Sequence, residues 1–219
     1  MSSVTEPLVA TSVLRSTAME PAVPLPPHPS DEELAFDWTL SEQDIRLILT
    51  HRGSENLCRF AVQLCVLRKH GRFLASYAHL SPLILEYLCR QLDLPPLAAL
   101  SGRARDNTES DYQREIIQYL GWHPFDTAAS TWLGDWMNAQ VAQHFYVDNL
   151  VEQTAALLRT HRIVLPGPAA LARTVTAAHA HAEHLLFHRL AAQLSDETTQ
   201  AIDRLLGLPT PADAADAAV

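Results

Sequence analysis

At 219 residues the chain suits one domain or two small ones, and a hydrophobic fraction of 47% is ample for a packed core. No apolar run approaches the roughly 18 residues of a membrane span, and the start lacks the basic-then-apolar order of a secretory signal, so the expected location is the cytoplasm, with no membrane partner. The net charge of −9 argues against a protein that simply coats nucleic acid.

The predicted elements are helical throughout. Residues 1–29 are rich in Pro, Ser, Thr and Val and are expected to be disordered. Ser30 with Glu33 makes a capping box that opens a helix to residue 38, and Ser41 with Asp44 opens a second to about residue 50. Gly53 marks a turn, and residues 56–69 form the third helix. Ser81-Pro82 is an N-cap followed by Pro at the first helical position, starting a helix to residue 92. Pro95-Pro96 opens a short turn, and residues 101–107 read as a polar, basic loop. Residues 108–120 are a helix closed by Gly121. Asp126 caps the next, to about residue 143, and a helix over 147–160 follows. Pro166-Gly167-Pro168 breaks the chain before a long helix over 169–193, and Ser195 caps a last one to residue 206. The Ala/Pro/Asp tail over 208–219 is expected to be disordered. With no β-alternation and no internal repeat, the expected fold class is all-α. The expected architecture is a multi-helix bundle in two small helical subdomains, 30–121 and 122–207, that meet within residues 121–126.

Charge runs in blocks. Residues 31–50 carry net −5, 51–105 net +5, 106–153 net −7 and 154–189 net +3. A positive face can therefore exist on an acidic protein, and local field governs docking more than net charge does.

The segment 53–74 concentrates the positive charge around a helical apolar stripe of Leu57, Phe60, Ala61, Leu64, Cys65 and Leu67. Arg52 precedes it and Arg68, Lys69 and Arg72 follow. A helix buried on one side and basic at both ends suits a module that docks on phosphates. Residues 40–69 admit three readings: a helix-turn-helix relative with an unusually long connection, a generic helical DNA-binding bundle, or a core hairpin with solvated charges. For DNA, Arg52, Arg59, Arg68, Lys69 and Arg72 are the candidate phosphate partners, and Asn56 or Gln63 could read adenine edges. Gln63 lies beside a core face and is equally a boundary residue. Arg103 and Arg105 are either an arm along the DNA backbone or an ordinary solvated loop.

Several of these stretches resemble a family. Residues 56–67, Arg68 and Gly71-Arg72-Phe73-Leu74 look like the N-terminal domain of Tn-three family replicative transposases. Trp38-Thr39-Leu40-Ser41 with Asp44, Arg162-Ile163-Val164-Leu165-Pro166-Gly167, and Arg189-Leu190 fit the same domain in the same order. The resemblance implies a helical domain that helps recognise the terminal inverted repeats of a transposon, with the catalytic acidic residues in a much later domain. It also places Arg at several positions held here by His.

Other constellations carry less chemistry. Cys58, Cys65 and Cys89 lack CxxC spacing and sit in apolar patterns, as buried thiols of a reducing compartment do. His181, His184 and His188 share one helix face, open to three readings: a weakened basic face, a pH-sensitive surface or a metal site. Trp122, Phe125, Trp132 and Trp136 read as core aromatics or a docking surface. No phosphate loop, nucleophile elbow or activated cysteine is present, and no cofactor or metal is expected. The expected function is a non-catalytic DNA-binding module for transposon ends, as a truncated transposase or a transposition regulator. The alternative is a protein–protein module that joins a transposase complex, with a full-length transposase or the chain itself as partner.

Overall fold

The computed structural model describes residues 23–100, 106–140 and 147–206. They form helices α1 (Asp31–Asp37), α2 (Glu42–Ile48), α3 (Ser54–His70), α4 (Pro82–Gln91), α5 (Asp106–Leu120), α6 (Thr127–Gln140), α7 (Val147–Thr160), α8 (Pro168–Gln193) and α9 (Asp196–Leu205). Among the described residues there is no strand, and the fold class is all-α; a single parallel bridge joins His123 and Ile163.

Local chemistry explains the helix starts. Ser30 and Ser41 both close full capping boxes, with Glu33 and Asp44 reaching back to the cap amides. The Asp126 carboxylate accepts from the Ala129 N–H at 3.0 Å. Ser81 is the N-cap of α4 with Pro82 at the first helical position, as expected, but its hydroxyl makes no cap bond and instead donates to the Pro27 carbonyl at 2.8 Å. That bond helps tie down the Pro-rich start. Val23 is buried and Leu25 packs on the core, so residues 23–29 are laid against the fold rather than loose. The rest of the expected disordered start and the C-terminal tail lie outside the described residues.

Helix α3 is the hub of the first core. Eleven consecutive residues, 57–67, are buried in it. The expected one-sided stripe is therefore corrected: α2, α4 and α5 pack around α3 and leave its middle no exposed face. Each large apolar side chain so buried contributes roughly 1.5–3 kcal/mol. Cys58, Cys65 and Cys89 are free, buried thiols. Burial pushes Cys65 up to about 12, and burial with the Cys89 neighbour, its sulfur 3.5 Å away, does the same for Cys58.

A second core gathers Ala129, Met137, Leu150, Leu158, Leu171 and Val175 where α6 and α7 pack on α8. Phe125, Trp132 and Trp136 pack on it, whereas Trp122 packs on the first core. The chain passes from one core to the other through residues 121–126, and residues 162–165 run back alongside them. The His123 N–H donates to the Arg162 carbonyl at 2.8 Å and the Val164 N–H to the His123 carbonyl at 2.9 Å.

Candidate nucleic-acid interface

The seam between the two cores is built on Gly71. This residue ends α3 in the left-handed region, φ 70°, which favours glycine. Its carbonyl accepts from the Leu165 N–H at 2.7 Å. A Cβ here would lie 3.0 Å from both Arg159 Cγ and Leu165 Cδ1, and 3.2 Å from Trp122. The segments around Gly71 and Arg162, ninety residues apart in the chain, thus meet at one place.

Beside that seam lies an open cleft of about 710 Å³. Its rim carries Arg68 from the last turn of α3, with Arg159 and Arg162 from the end of α7. Arg159 Nε donates to the His70 carbonyl at 3.4 Å and Arg162 Nη1 to the Leu120 carbonyl at 3.3 Å. Both side chains are exposed, and among the described residues neither has a carboxylate within 4.0 Å. Arg162 holds a positive φ of 52°, so the chain reverses at the cleft edge. Arg72 is half-buried nearby, and burial together with Arg159 draws its value down.

Asp44, which is 1% exposed, also lines the cleft and organises the groups around Arg68. Arg68 Nη2 and the Tyr119 hydroxyl both donate to its Oδ1, at 2.7 and 2.9 Å, and the Ser41 N–H donates to Oδ2 at 2.8 Å. Burial works to raise this carboxyl; the Ser41 amide, Arg68, Tyr119 and the Ser41 hydroxyl outweigh it and hold the group below the ordinary Asp range. Asp44 therefore stays charged and fixes the Arg68 guanidinium at the cleft mouth. His70, behind the rim, is pushed down to about 4, chiefly by burial and then by Lys69, with Asp37 opposing and Arg159 and Arg72 adding to the effect. It is neutral at neutral pH.

The residues singled out from sequence divide accordingly. Arg68 lines the cleft, whereas Arg72, half-buried beside Gly71, does not. Lys69, one position on, is paired with Asp37 of α1. Arg52 is exposed at the far end of α3, a helix of 17 residues and hence about 25 Å long, so it shares no patch with Arg68. Asn56, half-buried, donates its amide to the Arg52 carbonyl at 3.0 Å. Arg59 and Gln63 face inward and are corrected as surface contacts. Arg59 is 2% exposed, pairs with Glu55 at 2.7 Å and lies over the Tyr77 ring. Gln63 is fully buried; its side chain accepts from the Leu74 N–H at 2.8 Å and donates to the Leu74 carbonyl at 2.9 Å. A buried amide bonded on both sides to backbone cannot read a base edge. Arg103 and Arg105 lie outside the described residues.

Sequence reasoning did not name Arg159 and Arg162, which line the cleft, as candidate site residues. The available signal was the net +3 of residues 154–189 together with the Arg162 motif. The His run gives no centre of its own: His181, His184 and His188 are exposed, and His179 is buried 3.8 Å from Glu183. Among the described residues no group of three or more His, Cys, Asp or Glu is placed to hold a metal ion. Among them, too, no helix is long and apolar enough to cross a membrane.

Fold and cleft together define an all-helical protein with an open, arginine-rimmed groove beside the seam of two cores. Residues 15–178 match the family described as a domain of unknown function (DUF4158), and the chain belongs to that family. It is 28% identical over 179 residues to the transposase for transposon Tn501 of Pseudomonas aeruginosa, covering 82% of this chain and 18% of that protein. It is 26% identical over 189 residues to the transposase for transposon Tn1546 of Enterococcus faecium, covering 84% and 19%. With the transposase for transposon Tn3926 of Escherichia coli the identity is 28% over 198 residues, covering 89% and 20%. These relatives are transposases of the Tn-three family, the resemblance that the motifs carry. The chain spans about a fifth of the length of these curated relatives.

Proposed function

We propose that the chain is a non-catalytic DNA-docking module for the ends of a transposon, and that it holds the duplex backbone at the cleft beside Gly71. The observation that carries this is the convergence of Arg68, Arg159 and Arg162 on one open groove, with Arg72 behind it. Guanidinium groups anchored to backbone carbonyls or to a buried carboxylate are preorganised for phosphate oxygens. The kinship with transposases supplies the kind of DNA. The groove contacts phosphate and so positions the protein; preference for a particular end sequence needs base contacts in addition.

One observation favours the alternative, a protein–protein module within a transposase complex. Arg59, Arg68 and Lys69 all pair with carboxylates of the same chain. A salt titration separates the two functions. Affinity for duplex DNA should fall by roughly 0.9 log units per phosphate contact for each tenfold rise in salt. Arg159→Ala with Arg162→Ala should remove roughly two contacts from that slope. Binding with an unaltered slope would move the site off the cleft. No binding to end-bearing or unrelated duplexes at moderate salt would leave the interaction module.

A further inference from the structure

The cleft holds groups that phosphate docking does not use. Its volume of about 710 Å³ falls within the roughly 300–1,000 Å³ of pockets that enclose a small molecule. Such a space admits a nucleotide and not a duplex, whose major groove alone is roughly 12 Å wide. The rings of Tyr119 and Trp122 line it, and both are half-buried. Its charges are the three guanidinium groups of Arg68, Arg159 and Arg162 against the one carboxylate of Asp44. Of its neutral polar groups, the Thr39 hydroxyl donates to the Ala35 carbonyl at 2.6 Å, and the Ser41 hydroxyl accepts from the Asp44 N–H at 3.1 Å. Gln43 also lines the cleft, from the first turn of α2. It is exposed, and among the described residues its side-chain amide has no hydrogen-bond partner. An amide offers a donor and an acceptor side by side, as a base edge does.

We propose that the cleft receives one unpaired nucleotide of the docked DNA, its base against the rings of Trp122 and Tyr119, its edge bonded to Gln43 and its flanking phosphates on the arginines. The inference rests on the DNA-docking reading of the same cleft and adds to it the base contact that phosphate docking lacks. Stacking on an aromatic ring accepts any base, because every base has a π-face. Gln43 is the group that tells bases apart. Turning a paired base out of the stack costs free energy, so a base that is already unpaired binds best.

Titration of the full chain with two bulged duplexes tests this. One carries a single unpaired nucleotide, and the other carries an abasic residue at the same place. The two have the same phosphates and the same interruption of the helix, so only the base differs. The base-bearing bulge should bind roughly tenfold more tightly, the effect of one stacked base. Trp122→Ala should erase that advantage while affinity for a fully paired duplex is kept. Gln43→Ala, at an exposed position that the fold does not need, should shrink the advantage and level the differences among the four bases placed in the bulge. Equal affinity for the base-bearing and abasic bulges, or an advantage indifferent to both variants, overturns the nucleotide site and leaves phosphate docking standing. Binding of none of the three duplexes overturns both.

Discussion

At Gly71 the backbone and the packing make the same demand. Alanine there meets the left-handed φ and the 3.0 Å approach of Arg159 and Leu165 together. Gly71→Ala should cost about 2–4 kcal/mol in a urea melt, and it should weaken DNA docking because Arg159 must move. Full stability in that variant would mean the seam is looser than its geometry. Two titrating groups nearby set a pH dependence. His70 and Asp44 both have native values below the ordinary ones. Each therefore contributes stability that is complete above the ordinary value and is lost as pH falls through the native value. For His70 the loss runs from 6.5 to about 4, and for Asp44 it begins near 3.8. Melting temperature should thus decline in two acid limbs. His70→Leu should flatten the first. Asp44→Asn should flatten the second and lower stability at neutral pH, because Arg68 loses its anchor. A single limb unaffected by either change would assign the acid loss to other groups.

The helices were legible because caps and breakers are local: Ser30, Ser41, Gly121, Asp126, Pro168 and Ser195 fall within one or two residues of the observed ends. What each helix does was less legible, because that depends on contacts made far along the chain. Helix α3 looked one-sided, since Arg59 and Gln63 break its apolar run. Both polar side chains are instead buried with partners. Gln63 bonds to Leu74 and, through its amide, to Tyr77 and Glu109, at 2.9 Å each. The Tyr77 hydroxyl donates to the same Glu109 oxygen at 2.6 Å, and burial, then that bond, pushes the phenol well above its usual value. The network ties α3, the loop after it and α5 together. Gln63→Leu strands the Leu74 N–H and carbonyl in the core, and an unsatisfied buried group costs about 1–3 kcal/mol. A denaturation midpoint that drops sharply, with DNA affinity of the folded fraction unchanged, is the expected result. Unchanged stability with lost binding would return Gln63 to the role of base reader.

Among the described residues the acidic block 31–50 and the basic block 51–105 meet at two ion pairs. The acidic α1 and α2 supply Asp37 and Asp44 to Lys69 and Arg68 at the end of α3. Among the described residues, Arg52 lies at one end of α3, and Arg68 and Lys69, paired with these acids, lie at the other. The positive surface arises where two cores meet, from α3 and from the turn after α7, a conjunction that no window of sequence displays. Its walls belong to both cores, so a duplex bound there bridges them. Bound DNA should slow hydrogen exchange at the amides that cross the seam, Leu165 to Gly71 and Val164 to His123, beyond any change in the middle of α3. Arg159→Ala with Arg162→Ala should abolish that protection, because on the proposed reading those side chains would join phosphate to the carbonyls of His70 and Leu120 that they hold. Strong binding with unchanged exchange at the seam would place the duplex on one core alone, with exposed Arg52 at the far end of α3 as the next surface to mutate.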